Sequence, residues 1–258
     1  MSSLAAEEAV NAPGPVVDVL LGGYLASRRG FEGLRAAMED ASGNRTIFVE
    51  PVRWGRTIFW NHPAYPRAFF RQALHAALEL RALGVRRVRL YGMSMGAPIV
   101  MIMAEAFGRV FTTEQVVLIN PACVHIDGVM PLGRRVIRKA QADMHNLRYH
   151  PDEAVRRIMR DSRRGAAFYM TNLVRATAEG LAISRIPLFT QTLPRLEQKR
   201  IPVYVAHAEL DLLFTADCVA SALVNLPEGR VFLLEGIGHD AQFVPAQTAA
   251  ALKRHGVL

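Results

Sequence analysis

Short apolar runs alternate with helical stripes along most of this chain. Val16 to Leu21 is a compact apolar run closed by Gly22-Gly23, and Thr46 to Val49 is a second. Runs of this length bounded by turn residues predict buried strands. Between about Ala64 and Leu83 the period changes. Phe69, Phe70, Ala73, Leu74, Ala77 and Leu78 recur at spacings of one, three and four, which predicts a helix with one apolar face, stopped by Gly84. Val85 to Tyr91 returns to strand pattern. Met95 to Phe107 is nearly all apolar and ends at Gly108, so it predicts a helix buried on every side. Gln115 to Ile119 is the next strand, closed by Asn120-Pro121. Ile201 to Ala206 and Arg230 to Leu234 are two more, and a last helix runs from about Ala241 to Arg254.

Strands that alternate with helices are joined by parallel crossovers. The expected fold class is therefore α/β, with a mostly parallel central sheet and helices on both faces. The rhythm breaks once. Residues 125–199 carry helical pattern and no convincing strand, which predicts an inserted helical subdomain between core segments 15–124 and 200–258. Residues 1–14 are small and polar and predict a flexible arm.

Composition bounds the partners. Half of the 258 residues are apolar, enough to bury one large core. The formal net charge is +8, and residues 134–164 alone hold ten Lys or Arg against four Asp or Glu. Such a patch attracts anionic substrates, acidic lipid or nucleic acid, or is simply a solvated helical surface. No zinc-finger spacing or aromatic-basic ribonucleoprotein motif accompanies it, so nucleic acid is not expected. Cys123 and Cys218 lack the spacing of a redox or metal motif and read as buried thiols in a reducing compartment. The segment Met1 to Glu8 has neither the basic nor the apolar stretch of a secretory leader, and no run reaches membrane-spanning length. The expectation is a soluble cytoplasmic protein with no stable membrane insertion.

The candidate chemistry lies in Gly92-Met93-Ser94-Met95-Gly96, between a predicted strand and a buried helix. A sharp strand-to-helix turn presents the serine hydroxyl above the sheet and needs small neighbours two residues away on each side. A phosphate cradle is the competing reading of such a turn, but the Walker lysine and the Gly-x-Gly-x-x-Gly pattern are both missing. A serine needs a base at neutral pH. Of eight histidines, His239 in Gly236-Ile237-Gly238-His239-Asp240 follows the last predicted strand, at the same sheet edge. An acid must orient the imidazole. Asp211 and Glu209 both follow a strand, and Asp211 is preferred because it lies further into the loop. An oxyanion needs two donors. Met95 N–H is the first, and Tyr24 N–H, with Gly23 next, is the choice from the loop after the first strand.

On the elbow, Asp211, the Gly-x-Gly-His at 236–239 and Asn120-Pro121, the chain from Val16 onward resembles the α/β-hydrolase superfamily. The resemblance implies a Ser94–Asp211–His239 triad, a cap over the site formed by 125–199, and no metal or organic cofactor. It implies acyl transfer through Ser94, with a small or medium ester or thioester as substrate, anionic ones included. Carbon–carbon bond hydrolases, acyltransferases and cofactor-free perhydrolases of that superfamily keep the same triad. A catalytically silent binding protein that uses its basic cap is the alternative of a different class. One departure is that Gly22-Gly23 stands where many members have His-Gly. Apolar cap residues such as Phe168, Tyr169, Met170 and Leu181 are candidates to line an acyl pocket.

Overall fold

The structure is a computed structural model and describes residues 14–23, 28–50, 67–122, 134–135, 137–139, 141–142, 188–215, 219 and 226–258. Among the described residues, six strands form one parallel sheet in the order β2-β1-β3-β4-β5-β6. They are β1 (Val16–Leu21), β2 (Thr46–Val49), β3 (Arg87–Met93), β4 (Thr112–Ile119), β5 (Val203–Leu210) and β6 (Val231–Gly238). The helices are α1 (Arg28–Ser42), α2 (Arg67–Ala82), α3 (Gly96–Ala106), α4 (Leu193–Gln198) and α5 (Pro245–Arg254).

Every predicted strand is present; β1 and β2 have the predicted ends, and the other four are shifted. β3 begins two residues late, at Arg87. The backbone of Gly84 and Val85 instead caps α2: Gly84 has φ +72°, and Val85 N–H donates to Leu80 O at 3.0 Å. A left-handed glycine with that bond closes a helix end. β5 and β6 run four residues further than the apolar runs suggest, because backbone pairing continues through Ala208 opposite Leu234 to Leu210 opposite Gly238, with His207, Ala208 and Ile237 still buried. The last helix begins at Pro245, after a short 3-10 turn at Ala241–Phe243.

The sheet is covered on both faces, each with its own core. On one face α2, α3 and α4 pack over Val19, Val88, Leu90, Val116, Leu118 and Val205. On the other, α1 and α5 pack over Leu20, Tyr91, Val117, Ala206 and Leu234. Helix α3 is buried from Gly96 through Ala104, as its apolar sequence predicts. The buried face of α2 is Phe69, Gln72, Ala73, Ala76, Ala77 and Leu80. Leu74 and Leu78, expected on that face, are instead 38% and 53% exposed. Helix α1 was not anticipated; its buried Phe31, Leu34 and Met38 stand at the spacing that marks it.

Most of the predicted cap lies outside the described residues, as do residues 1–13, Tyr24, both cysteines and the candidate pocket side chains. Residues 134–135, 137–139 and 141–142 are helical. At the far end of that segment, Leu193 and Leu196 of α4 are buried in the core itself. Among the described residues, no helix is long and apolar enough to cross a membrane.

The strand order places one position apart from the rest. The chain goes from β1 outward to β2, then returns to β3 on the other side of β1. In open α/β sheets such a reversal of strand order, at the C-terminal ends of the strands, is where ligands bind. Gly23 follows β1 and Ser94 follows β3, so both stand at that reversal.

Candidate active site

Ser94 sits on the turn between β3 and α3 with φ +52°. A left-handed non-glycine residue of this kind costs on the order of 1–3 kcal/mol and persists only where surroundings hold it. Here they do. Ser94 N–H donates to Ile119 O at 2.9 Å, and Ser94 O accepts N–H bonds from Ala97 and Ala122, both at 3.1 Å. The flanking glycines are required by space. A Cβ on Gly92 would lie 2.7 Å from Gly96 O and 2.8 Å from Ala97 Cα, and one on Gly96 would strike the Leu21 carbonyl.

The structure brings together three of the predicted residues. His239 Nε2 is 3.1 Å from Ser94 Oγ, and His239 Nδ1 is 2.8 Å from Asp211 Oδ2. A carboxylate only accepts, so Nδ1 carries the proton and Nε2 is left to accept from the serine hydroxyl. All three side chains are buried. Asp211, rather than Glu209, is the partner. Glu209 is exposed and accepts the Gly236 N–H at 2.9 Å.

Two backbone amides hold the acid in place. Asp211 Oδ1 accepts from Leu213 N–H at 2.7 Å and Phe214 N–H at 3.0 Å, which leaves Oδ2 free to face the imidazole. This is an Asx-type turn. It was not foreseen, although an aspartate at a strand exit is its usual signal. The Phe214 ring then packs against His239 with centroids 5.5 Å apart.

The surroundings shift His239 toward its charged form without a single dominant influence. Burial disfavours the imidazolium, but the charge and hydrogen bond of Asp211, with help from Asp240, more than offset it and raise the His239 pKa above the ordinary value. Lys139 opposes them. Lys139 Nζ pairs with Asp240 Oδ2 at 2.6 Å, joining the 134–142 segment to the residue next to His239. Burial works against the Asp240 carboxylate, yet Lys139 and His239 together hold its pKa below the usual range. His207, buried on β5, is pushed down by burial and by His239, with Asp211 opposing, so it stays neutral beside the pair.

Of the candidate oxyanion donors, Met95 and Gly23 lie among the described residues. Met95 follows Ser94 and caps the N-terminus of α3. A Cβ on Gly23 would lie 2.9 Å from Ser94 Cβ and 3.3 Å from Ser94 Oγ, so the β1 loop runs directly against the hydroxyl. Tyr24, the first choice for the second donor, lies outside the described residues. Among the described residues, no group of three His, Cys, Asp or Glu is arranged to hold a metal ion.

The chain has the α/β-hydrolase fold. Its structure is similar to a bromoperoxidase from Bacillus anthracis, with TM-score 0.61 and 20% identity over 94% of this chain and 92% of that one. It is similar to a thermophilic esterase from Thermogutta terrifontis, with TM-score 0.62 and 18% identity over 93% and 89% of the two chains. It is also similar to an enol-lactonase from Burkholderia xenovorans LB400, with TM-score 0.63 and 16% identity over 96% and 94%. No protein-family model and no curated protein matches the sequence.

Proposed function

We propose that this protein is a serine hydrolase that cleaves an ester or thioester of a small or medium acyl group through an acyl-enzyme. The observation that carries the reading is the continuous hydrogen-bonded chain from Ser94 Oγ through His239 to Asp211. Its support is geometric: nucleophile, base and orienting acid stand within hydrogen-bond reach, in the order such a mechanism needs.

In this mechanism Ser94 Oγ attacks the carbonyl carbon while His239 Nε2 accepts the hydroxyl proton. Asp211 Oδ2 stabilises the imidazolium through Nδ1–H. The carbonyl oxygen becomes an oxyanion, held by Met95 N–H and a backbone N–H of the Gly23–Tyr24 loop. His239 donates its proton to the leaving alcohol or thiol, and the carbon–oxygen or carbon–sulfur bond breaks. Water, deprotonated by His239, then attacks the acyl carbon; the bond from that carbon to Ser94 Oγ breaks, His239 returns the proton to Oγ, and the carboxylic acid leaves. Two of the named neighbours are called an esterase and an enol-lactonase and the third a bromoperoxidase, and cleavage of an ester bond is the reading that the first two names support.

The test is hydrolysis of nitrophenyl esters and acyl thioesters of graded acyl length by wild type and Ser94→Ala. Turnover that peaks at short or medium acyl groups and vanishes in Ser94→Ala is expected. Equal turnover by the two proteins would overturn the reading. A folded protein without turnover on either series, whose vesicle binding falls steeply with salt, would favour the binding-protein alternative.

A further inference from the structure

Asn120 ends β4 and is fully buried with φ +47°. Its side chain joins two other segments. Oδ1 accepts the Ala208 N–H of β5 at 2.7 Å, and Nδ2 donates to the His239 carbonyl at 2.9 Å, with Gly238 O at 3.4 Å. Its own N–H donates to Ala206 O at 2.9 Å. One amide thus touches the strand that leads to Asp211 and the residue that carries the imidazole.

The ladder needs help at this level. β4 pairs with β5 only as far as Ile119 opposite Ala206. The β5–β6 register shifts between Ala208 and Leu210. Regular pairing is therefore interrupted where Asp211 and His239 must be held in a fixed relation. An asparagine amide fits the gap because it offers one donor and one acceptor on a single rigid plane. Leucine would leave a buried N–H and a buried carbonyl unpaired, and an ionised aspartate would set lone pairs against the His239 carbonyl. Asparagine also tolerates the left-handed backbone.

We propose that Asn120 is a positioning residue, whose amide sets His239 over Ser94 by holding the His239 carbonyl in register with β5. The proposal rests on the serine-hydrolase reading for its rate consequence. Its geometric consequence is independent of that reading.

Two variants and two readouts test it. Asn120→Gly keeps the backbone conformation and removes the amide. In Asn120→Gly the low-field proton resonance of His239 Nδ1–H is expected to broaden or vanish, while circular dichroism stays that of the fold. The maximal rate of Ser94 modification by a fluorophosphonate should fall about 10²-fold, as small misplacements do, with the half-saturating concentration unchanged. In Asn120→Asp the rate relative to wild type should rise as pH falls, because a protonated carboxyl regains a donor toward His239. That variant decides the matter if Asn120→Gly does not fold. An intact resonance and wild-type modification rate in Asn120→Gly, or a flat pH ratio in Asn120→Asp, would overturn the proposal. Failure of wild type to react at Ser94 would sink the hydrolase reading. The resonance would then still decide the role of Asn120.

Discussion

The two ends of β1 and β3 solve opposite problems with the same strands. Near their start, Arg89 forms a two-pronged ion pair with Asp18, Nε to Oδ1 at 2.6 Å and Nη2 to Oδ2 at 2.8 Å. Close by, Tyr91 and Gln115 both donate to the Val257 carbonyl and tie the chain end to the sheet. There, ordinary strand backbone carries polar groups that pair in place, Asp18 with Arg89 and both Tyr91 and Gln115 with the Val257 carbonyl. At the other end the backbone is strained at Ser94 and Asn120, glycines admit close approach, and the polar groups form a directed relay. Polar burial at the first end holds the fold, and at the second it lines up Ser94, His239 and Asp211, the arrangement the proposed mechanism uses. Mutations should therefore separate cleanly, with stability effects at one end and rate effects at the other.

The largest expected effect is at the relay. Asp211→Asn should lower kcat by about 10⁴-fold, since an amide no longer fixes the Nδ1–H tautomer. It should do so with little change in the urea midpoint. A loss of stability comparable to that of the ion-pair variants below would blur the comparison.

At the opposite end, Asp18→Ala leaves a largely buried guanidinium without its partner. Such a break costs about 3–5 kcal/mol, so the urea midpoint should fall sharply. Activity per folded molecule should stay near wild type. A rate loss in the folded fraction would show that the two ends are coupled.

A smaller effect sharpens the rate side. His239 must be neutral to take the serine proton, and its pKa is raised, so the acid limb of kcat/KM should lie above the ordinary histidine value. Lys139→Gln removes the opposing cation and the ion pair on Asp240, so the limb should move further up. Asp240→Asn should move it down. Profiles that coincide with wild type would mean that the 134–142 segment has no electrostatic reach to the base.

The same contrast explains what could be read in the sequence. The strands were legible because each buried run is short, apolar and bounded by turn residues. α3 was legible because it is apolar all round. Ser94, Asp211 and His239 stood out because each follows a strand at one sheet edge, a matter of chain order alone. What escaped depended on three dimensions. Asn120-Pro121 marked a strand end, but nothing in one sequence says that its amide meets residues 88 and 119 positions away. The amides that hold Asp211 carry no side-chain signature. Leu74 and Leu78 fit the helical period equally well, and only the packing of α2 on α3 decides which apolar residues face inward. Helix α1 was missed although Phe31, Leu34 and Met38 were there to be seen, because small and charged residues dilute the stripe.

The most direct measurement is intact-protein mass spectrometry after a fluorophosphonate probe, followed by peptide mapping. One adduct per chain on the Ser94 peptide is predicted, lost in Ser94→Ala and slowed in Asp211→Asn. No adduct on the folded protein, or an adduct that persists in Ser94→Ala, would contradict the assignment of Ser94 as the nucleophile.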